Sequence, residues 1–342
     1  MGEEAQGLTA PPRRPTINDV AARSGVAAST VSRAFSRPDR VKSTTRERIA
    51  VAAEQLGYVP SDHPTERVPA RQGSVAVLVP DITNPFFFDF IRSTQHQLRT
   101  AGYTQMLVDT QEDVDLEAGY LEEFRTSAVG FILAATRLKD EQLTAAAART
   151  PLVVLNRETP GVPSVVIGTA EAAQQALEHL YSLGHRDIAY IAGPPTSWSD
   201  GRRWAALEQM ADQLGATVRR LGPYHPSQRS GAAAADTLLN SGASACIAFN
   251  DVLAIGILVR LHERGVDVPG EISVVGCDDV FGSDFCNPPL TTLASPIEQA
   301  GRVATDLLIS RMRPDLAQGR SQVVLPAHLK TRSSTGPLAR RG

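Results

Sequence analysis

The spacing of apolar residues divides the chain into two parts. Over residues 15–58 they recur three or four positions apart, which predicts short amphipathic helices. The expected helices span about 17–23, 28–35 and 45–56. Thr16 can cap the first helix, Gly25 can take the positive φ of a sharp turn, and Phe35 should be buried by the second helix. Three short helices with a glycine turn between the first two indicate a helix-turn-helix unit.

Beyond residue 73 the pattern changes to short apolar runs separated by longer helical stretches. The runs lie at 75–79, 105–108, 129–133, 152–155, 188–191, 246–249 and 273–275. Strands that are buried on both faces and alternate with helices predict parallel, doubly wound sheets. A body of about 260 residues is large for one such sheet, so two lobes are expected. The polar, proline-rich stretch 60–72 indicates a linker.

Charge follows the same division. From Arg13 to Val59 there are nine basic residues and four acidic ones, so this segment carries +5. The whole chain carries -3, which leaves -8 on the remainder. A small basic head on an acidic body is the distribution expected when only the head meets phosphate.

Composition narrows the remaining classes. No apolar leader is present, and no run approaches the roughly 18 apolar residues of a membrane span, so a soluble cytoplasmic protein is expected. Cys246, Cys277 and Cys286 lack the spacing of a zinc site or a disulfide framework and are interpreted as free thiols. Neither a metal nor a cofactor is expected.

The second helix of a helix-turn-helix unit lies in the major groove, with its first turns aimed at base edges. Here those positions are Ala28, Ser29 and Arg33. Arg33 can bind guanine with two hydrogen bonds, and the Ala28 methyl can meet a thymine methyl. Hydroxyls suited to phosphate contacts follow at Thr30, Ser32 and Ser36.

Several segments, in this order, resemble the lactose/galactose repressor family. They are Thr16-Ile17-Asn18-Asp19-Val20-Ala21, Ser29-Thr30-Val31-Ser32-Arg33, Leu183-Gly184-His185-Arg186 and Gly276-Cys277-Asp278-Asp279. The resemblance covers nearly the whole chain. It implies an all-α helix-turn-helix head plus an α/β periplasmic-binding-protein-like sensor domain with two Rossmann-like lobes. The DNA-contacting set it implies is Thr16, Ala28, Ser29, Thr30, Ser32, Arg33, Ser36, Arg40 and Tyr58.

Domain boundaries follow from the two patterns and the resemblance. The expected order is a tail at 1–12, the head at 13–59, the linker at 60–72, the sensor at 73–336 and a tail at 337–342. The first lobe should hold about 73–168 and 296–323, and the second about 169–295 and 324–336.

Ligands of open α/β sheets bind beyond the carboxyl ends of the strands. A sugar pocket needs aromatic faces together with polar groups for the hydroxyls. Residues that match both this chemistry and the family's ligand contacts are Phe86, Phe87, Arg203, Tyr224, Asn250 and Asp278. Two alternatives stay open, because the phenylalanines could be core residues and Asp251 could only cap its helix. Asp279 is interpreted as structural.

The expected function is a ligand-responsive, sequence-specific transcriptional regulator, most simply a repressor. Its partners would be a near-palindromic operator in double-stranded DNA and a small sugar-like effector, and it would act as a homodimer or tetramer without a membrane partner. A solute-binding protein of a transporter is the second class, which the basic head argues against. An enzyme is the third, but the sequence has no Gly-rich phosphate loop and no nucleophile elbow.

The linker departs from the family. Relatives insert a leucine from a hinge helix into the minor groove, and that position is Arg67 here. Pro64 falls inside the same helix and disfavours it. A largely non-helical linker and a less bent operator are therefore expected.

Overall fold

The computed structural model describes residues 15–36, 40–56, 58, 73–313 and 321–338. The chain divides into two compact units, Met1–Val68 and Pro69–Gly342, a division that falls within the predicted linker. The predicted N-terminal tail and nearly all of the linker, with Pro64 and Arg67, lie outside the described residues.

The first unit contains the three predicted helices. They are α1 (Ile17–Ser24), α2 (Ala28–Ser36) and α3 (Ser43–Leu56). The Asp19 carboxylate accepts hydrogen bonds from both the backbone N–H and the hydroxyl of Thr16, at 2.7 and 2.6 Å, which fixes the start of α1. Gly25 ends α1 with φ 66°, as its position before α2 predicts.

The core of this unit is small. Its buried side chains are Val20, Val31, Ala34, Ile49, Ala52 and Ala53. The expected burial of Phe35 is wrong, since 37% of this residue is exposed. Phe35 lies in the last turn of α2, at the rim of the core, where its ring centroid is 6.1 Å from that of Tyr58.

The second unit alternates strands and helices. Its strands in the described residues are β1 (Ser74–Val79), β2 (Thr104–Asp109), β3 (Ala128–Ala134), β4 (Leu152–Leu155), β5 (Ser164–Gly168), β6 (Asp187–Ile191), β7 (Thr217–Leu221), β8 (Ala245–Ala248), β9 (Ser273–Asp278), β10 (Thr291–Ala294), β11 (Gln322–Pro326) and β12 (His328–Lys330). Its helices are α4 (Phe88–Thr100), α5 (Val114–Glu123), α6 (Asp140–Ala147), α7 (Thr169–Ser182), α8 (Trp198–Leu214), α9 (Gln228–Ser241), α10 (Asp251–Glu263) and α11 (Ile297–Met312). Each of the seven predicted runs coincides with a strand.

Two six-stranded sheets define two lobes. The first has the order β11-β5-β4-β3-β1-β2 and is parallel throughout, while the second has the order β12-β10-β9-β8-β6-β7 with only β12 antiparallel. The chain crosses between lobes after β5, between β10 and α11, and between β11 and β12. Because β11 pairs with β5 as far as Pro326, the third crossing falls three residues beyond the expected position near 323. No helix in the described ranges is long and apolar enough to cross a membrane.

Candidate functional site

A cavity of about 60 Å³ lies between the two lobes at the carboxyl ends of their strands. We call it the cleft cavity. The first lobe contributes Pro80, Asn84, Phe86, Phe87, Glu112, Ala135, Arg137 and Asn156. The second contributes Thr169, Ser197, Ser199, Arg203, Pro226, Phe249, Asn250, Cys277 and Asp278. The position is the one that open α/β sheets favour for ligands.

Backbone strain is concentrated at this cavity. The non-glycine residues with positive φ in the described part of the chain are Gln111, Glu112, Ala135, Asn156, Asp278 and Asp279. Four of them line the cavity, and the other two are sequence neighbours of lining residues. Each such residue costs of order 1–3 kcal/mol and persists only where the surroundings enforce it. Such clusters are typical of functional sites, which makes this cavity the candidate site.

Arg203 enters the cleft cavity from α8. It is 4% exposed, and its Nη1 donates a hydrogen bond to the Phe249 carbonyl at 2.5 Å. The guanidinium carbon lies 4.7 Å from the centroid of the Phe249 ring, within the range of a cation–π contact. These contacts hold a permanent positive charge in the wall of the cavity.

Asp278 ends β9 and faces the same space. Its φ is 124°, and the Cys277 thiol lies 3.6 Å from its carboxylate. Burial raises the pKa of Asp278 well above its ordinary value, and the nearby Asp251 carboxylate adds to the shift. A carboxyl group in the wall of the cavity is suited to accept a hydrogen bond from a ligand hydroxyl.

Asn250 and Asp251 hold the wall in place. The Asn250 side chain caps α10 by accepting from the Leu253 N–H at 3.0 Å, and it also lines the cavity. Asp251 is fully buried and does more than cap a helix, because it accepts from distant groups on the loop after β9 and on β10. They are the Val280 N–H at 3.0 Å, the Ser283 hydroxyl at 2.6 Å and the Thr292 hydroxyl at 2.6 Å.

The two phenylalanines fit both interpretations that the sequence left open. Phe86 and Phe87 are buried in the core of the sensor and also line the cavity, with ring centroids 5.1 Å apart in an edge-to-face arrangement. Tyr224 is placed differently. It does not line the cleft cavity, and its hydroxyl donates to the Thr237 hydroxyl at 2.8 Å. Asp279 pairs with Lys330 and Arg332, in line with the structural role expected for it.

Sequence reasoning missed seven polar residues of the cavity, among them Glu112, Arg137 and Asn156. The Arg137 guanidinium pairs with the Glu112 carboxylate at 2.8 Å, and both side chains are largely buried. The Arg137 Nε has no hydrogen-bond partner among the described residues. The Asn156 side chain accepts from the Ile167 N–H at 3.0 Å. Asn156 directly follows the predicted strand 152–155, so the strand-end rule could have found it.

A larger cavity of about 240 Å³ lies on the first lobe between α5 and α6. Its floor is apolar, with Leu121, Phe131 and Leu138, and its rim carries the Arg125–Glu122 ion pair. None of its lining residues has positive φ or directly follows a strand, so the smaller cleft cavity is the better candidate site.

In the head, the residues predicted to contact DNA lie on or near α2. Ser29, Ser32 and Arg33 are exposed, whereas Ala28 and Thr30 are half-buried. Arg40 is exposed before α3. The Thr16 hydroxyl is bonded to Asp19, and the Tyr58 N–H donates to the Ala53 carbonyl at 2.8 Å. The Ser36 side chain lies outside the described set.

Comparison with known proteins agrees with this architecture. Residues 16–61 match the family described as "Bacterial regulatory proteins, lacI family", and residues 177–335 match the "Periplasmic binding protein-like domain". The chain is 32% identical to the transcriptional repressor CytR of Escherichia coli (strain K12) over 94% of this chain and 97% of CytR.

Two solved structures extend the likeness. The complex of the transcriptional regulator CelR with cellobiose has a TM-score of 0.68 and 28% identity, covering 94% of this chain and all of CelR. The lac repressor dimer bound to operator and the anti-inducer ONPF has a TM-score of 0.73 and 26% identity, covering 96% of this chain and all of that chain. The chain is thus a DNA-binding transcriptional regulator by fold and site. It belongs to the lacI family of bacterial regulatory proteins.

Proposed function

We propose that the protein is a repressor controlled by a sugar or sugar derivative bound in the cleft cavity. The observation that carries the proposal is the convergence of Arg203, Asn250 and Asp278 with Phe86 on one strained, buried cavity between two lobes. Such a mixture of aromatic faces, carboxyl, amide and guanidinium groups suits a polyhydroxylated ring. The CelR structure with cellobiose supports a carbohydrate ligand.

The DNA-binding form is a homodimer on a near-palindromic operator, with a tetramer as the larger alternative. One +5 head offers few base contacts, and two heads multiply the discrimination against genomic DNA. The lac repressor dimer on its operator supports this assembly. Base contacts come from Ala28, Ser29 and Arg33, and phosphate contacts from the rest of the set given above.

Ligand binding and DNA binding are coupled through the lobes. A ligand that contacts both lobes favours one relative arrangement of them, and it shifts operator affinity by its difference in affinity for the two arrangements. The protein acts in the cytoplasm, where its DNA target lies, and it turns no substrate over. The cleft holds the ligand by hydrogen bonds, and we assign no catalytic residue.

Operator binding measured with and without each member of a sugar panel tests the proposal. A sugar at 100 times its Kd raises the free energy of unfolding by about 2.7 kcal/mol, so a thermal-shift screen comes first. Arg203→Ala and Asp278→Ala should lose the response to that sugar and keep the operator affinity of the ligand-free protein. Unchanged sugar affinity in both variants would place the site elsewhere, and turnover of the sugar would favour an enzyme.

A further inference from the structure

We infer that the ligand is longer than one sugar ring and that Trp198 forms a second subsite beside the cleft cavity. The inference rests on the proposed carbohydrate ligand and adds its class, an oligosaccharide. It comes from a further cavity of about 420 Å³, lined by Trp198 on one lobe and by the loop that contains Glu158 on the other, and called here the outer cavity.

The walls of the two cavities are continuous along the chain. Ser197 and Ser199 line the cleft cavity, and Trp198 between them lines the outer cavity. On the opposite lobe Asn156 lines the cleft cavity, and Glu158, two residues on, lines the outer cavity. Two residues of chain span at most about 7 Å, roughly one sugar ring. A ligand anchored in the cleft cavity and leaving along these walls therefore enters the outer cavity.

The outer cavity has the chemistry of a sugar subsite. Trp198 supplies the large aromatic face, and the other lobe supplies polar groups opposite it. The Gln322 amide donates to the Glu158 carboxylate at 2.6 Å, so the two side chains form one fixed polar unit. The Arg202 guanidinium, one turn along α8, lies 5.7 Å from the Trp198 ring centroid and helps to orient the indole.

The sizes of the cavities favour the same conclusion. Small-molecule sites usually enclose roughly 300 to 1,000 Å³, and the cleft cavity with about 60 Å³ is far below that range. The outer cavity lies within it.

Monosaccharides compared with the disaccharides built from them, called here sugar ladders, test the inference. The probes are glucose with cellobiose and maltose, xylose with xylobiose, and galactose with lactose, each titrated by calorimetry into the full chain. At least one disaccharide should bind ten times or more tightly than its monosaccharide. Trp198→Ala should weaken that disaccharide about 3- to 10-fold, the range of an aromatic contact, and leave the monosaccharide unchanged. Trp198→Phe should recover most of the loss.

Trp204 provides the matched control. It is the other tryptophan of the chain, and it stacks on Tyr190 with ring centroids 6.0 Å apart. Trp204→Phe should bind both sugars normally, and its remaining Trp198 emission should shift with the disaccharide but not with the monosaccharide. Equal affinity for both members of every ladder, or equal weakening of both by Trp198→Ala, overturns the subsite and leaves the proposed function standing. A chain that binds no sugar of either length overturns both.

Discussion

The head and the cleft solve the same backbone problem in opposite ways. Where α1 turns into α2 the chain needs positive φ, and it uses glycine, Gly25 at 66°. At the cleft the chain also adopts positive φ, but with side chains retained, as at Ala135 and Asn156. Glycine adopts this conformation without a steric penalty, whereas in other residues it costs conformational free energy. The head is therefore optimised locally for folding, and the cleft gives up stability to keep side chains around a cavity.

The two regions also differ in where their functional groups lie. Ser29 and Arg33, the residues predicted to contact bases, are exposed on α2 and contribute little to the small core beneath them. The cleft residues Arg203 and Asn250 are buried and bonded to the protein itself. Substitutions in the head should thus change binding with little effect on folding, while substitutions around the cleft should change both.

The largest expected effect is that of Asp251→Ala behind the cleft. The change leaves three buried donors without their acceptor, which should cost about 3 to 5 kcal/mol. Urea unfolding followed by tryptophan fluorescence measures it, because both tryptophans lie in the same lobe as Asp251. Asp212→Ala, at an exposed position on α8, is the matched control and should be nearly neutral. A small loss in the free energy of unfolding for Asp251→Ala would mean that these three hydrogen bonds contribute little to stability.

The next effect is on DNA. Arg33→Ala should weaken operator binding by about 1 to 3 kcal/mol and relax the preference at one base pair per half-site, because a bidentate base contact is lost. Unfolding should be unchanged, since Arg33 is exposed. Titration of the operator and of its single-base variants measures both quantities. Arg46→Ala on α3 is the control, and it should leave the base preference unchanged. Weakening by the same factor on all sequences would make Arg33 a phosphate contact instead.

The sequence predicts those elements of this structure that carry a clear pattern of apolar residues, and it misses most of the others. Runs of branched apolar residues located seven of the twelve described strands, and β5, β7, β10, β11 and β12 were missed. Among these, β7 is a polar edge strand of sequence Thr-Val-Arg-Arg-Leu, and β12 has only three residues. Neither carries the apolar run that buried strands show. Phe35 was misplaced because helical spacing gives a face but not the extent of the core that covers it.

Site prediction divides in the same way. Arg203 and Asp278 follow from family motifs, and the structure brings both to one cavity. The Glu112–Arg137 ion pair joins two loops 25 residues apart in the sequence, and no local sequence pattern predicts it. The strained backbone at Glu112 was equally hidden, because positive φ is predicted from glycine and asparagine rather than from glutamate. Pairings between loops and strain imposed by packing appear only in the folded chain.

Adding a methyl group in the head and removing one at the cleft should change stability in opposite directions. Gly25→Ala adds a methyl at φ 66°, 3.3 Å from an Arg48 nitrogen, and should destabilise the head by about 1 kcal/mol. Ala135→Gly removes a methyl at φ 49° and should stabilise its lobe by about 0.5 kcal/mol. Hydrogen exchange of the α1 and β3 amides measures the two separately. Destabilisation by both would show that the backbone at Ala135 is not strained.

The smallest effect concerns pH and His185, which does not line the cleft cavity. His185 is buried between the hydroxyls of Ser244 and Ser273 and the carbonyl of Gly336. Burial lowers its pKa below the ordinary value of 6.5, the nearby charges of His179 and Arg186 add to the shift, and the Gly336 carbonyl opposes it.

Below about pH 6.5, His185 is therefore protonated in the unfolded chain but still neutral in the folded chain. The free energy of unfolding should fall as the pH drops. The carboxyl groups of Glu117, Asp251 and Asp278 have raised pKa values and act in the opposite direction, so the contribution of His185 must be isolated by difference. His185→Gln should flatten the decline between pH 7 and 5.5 in urea unfolding, and the exposed His96→Gln should leave it unchanged. The same slope in both variants would assign the titration to another group, with His179, whose pKa burial also lowers, the next to replace.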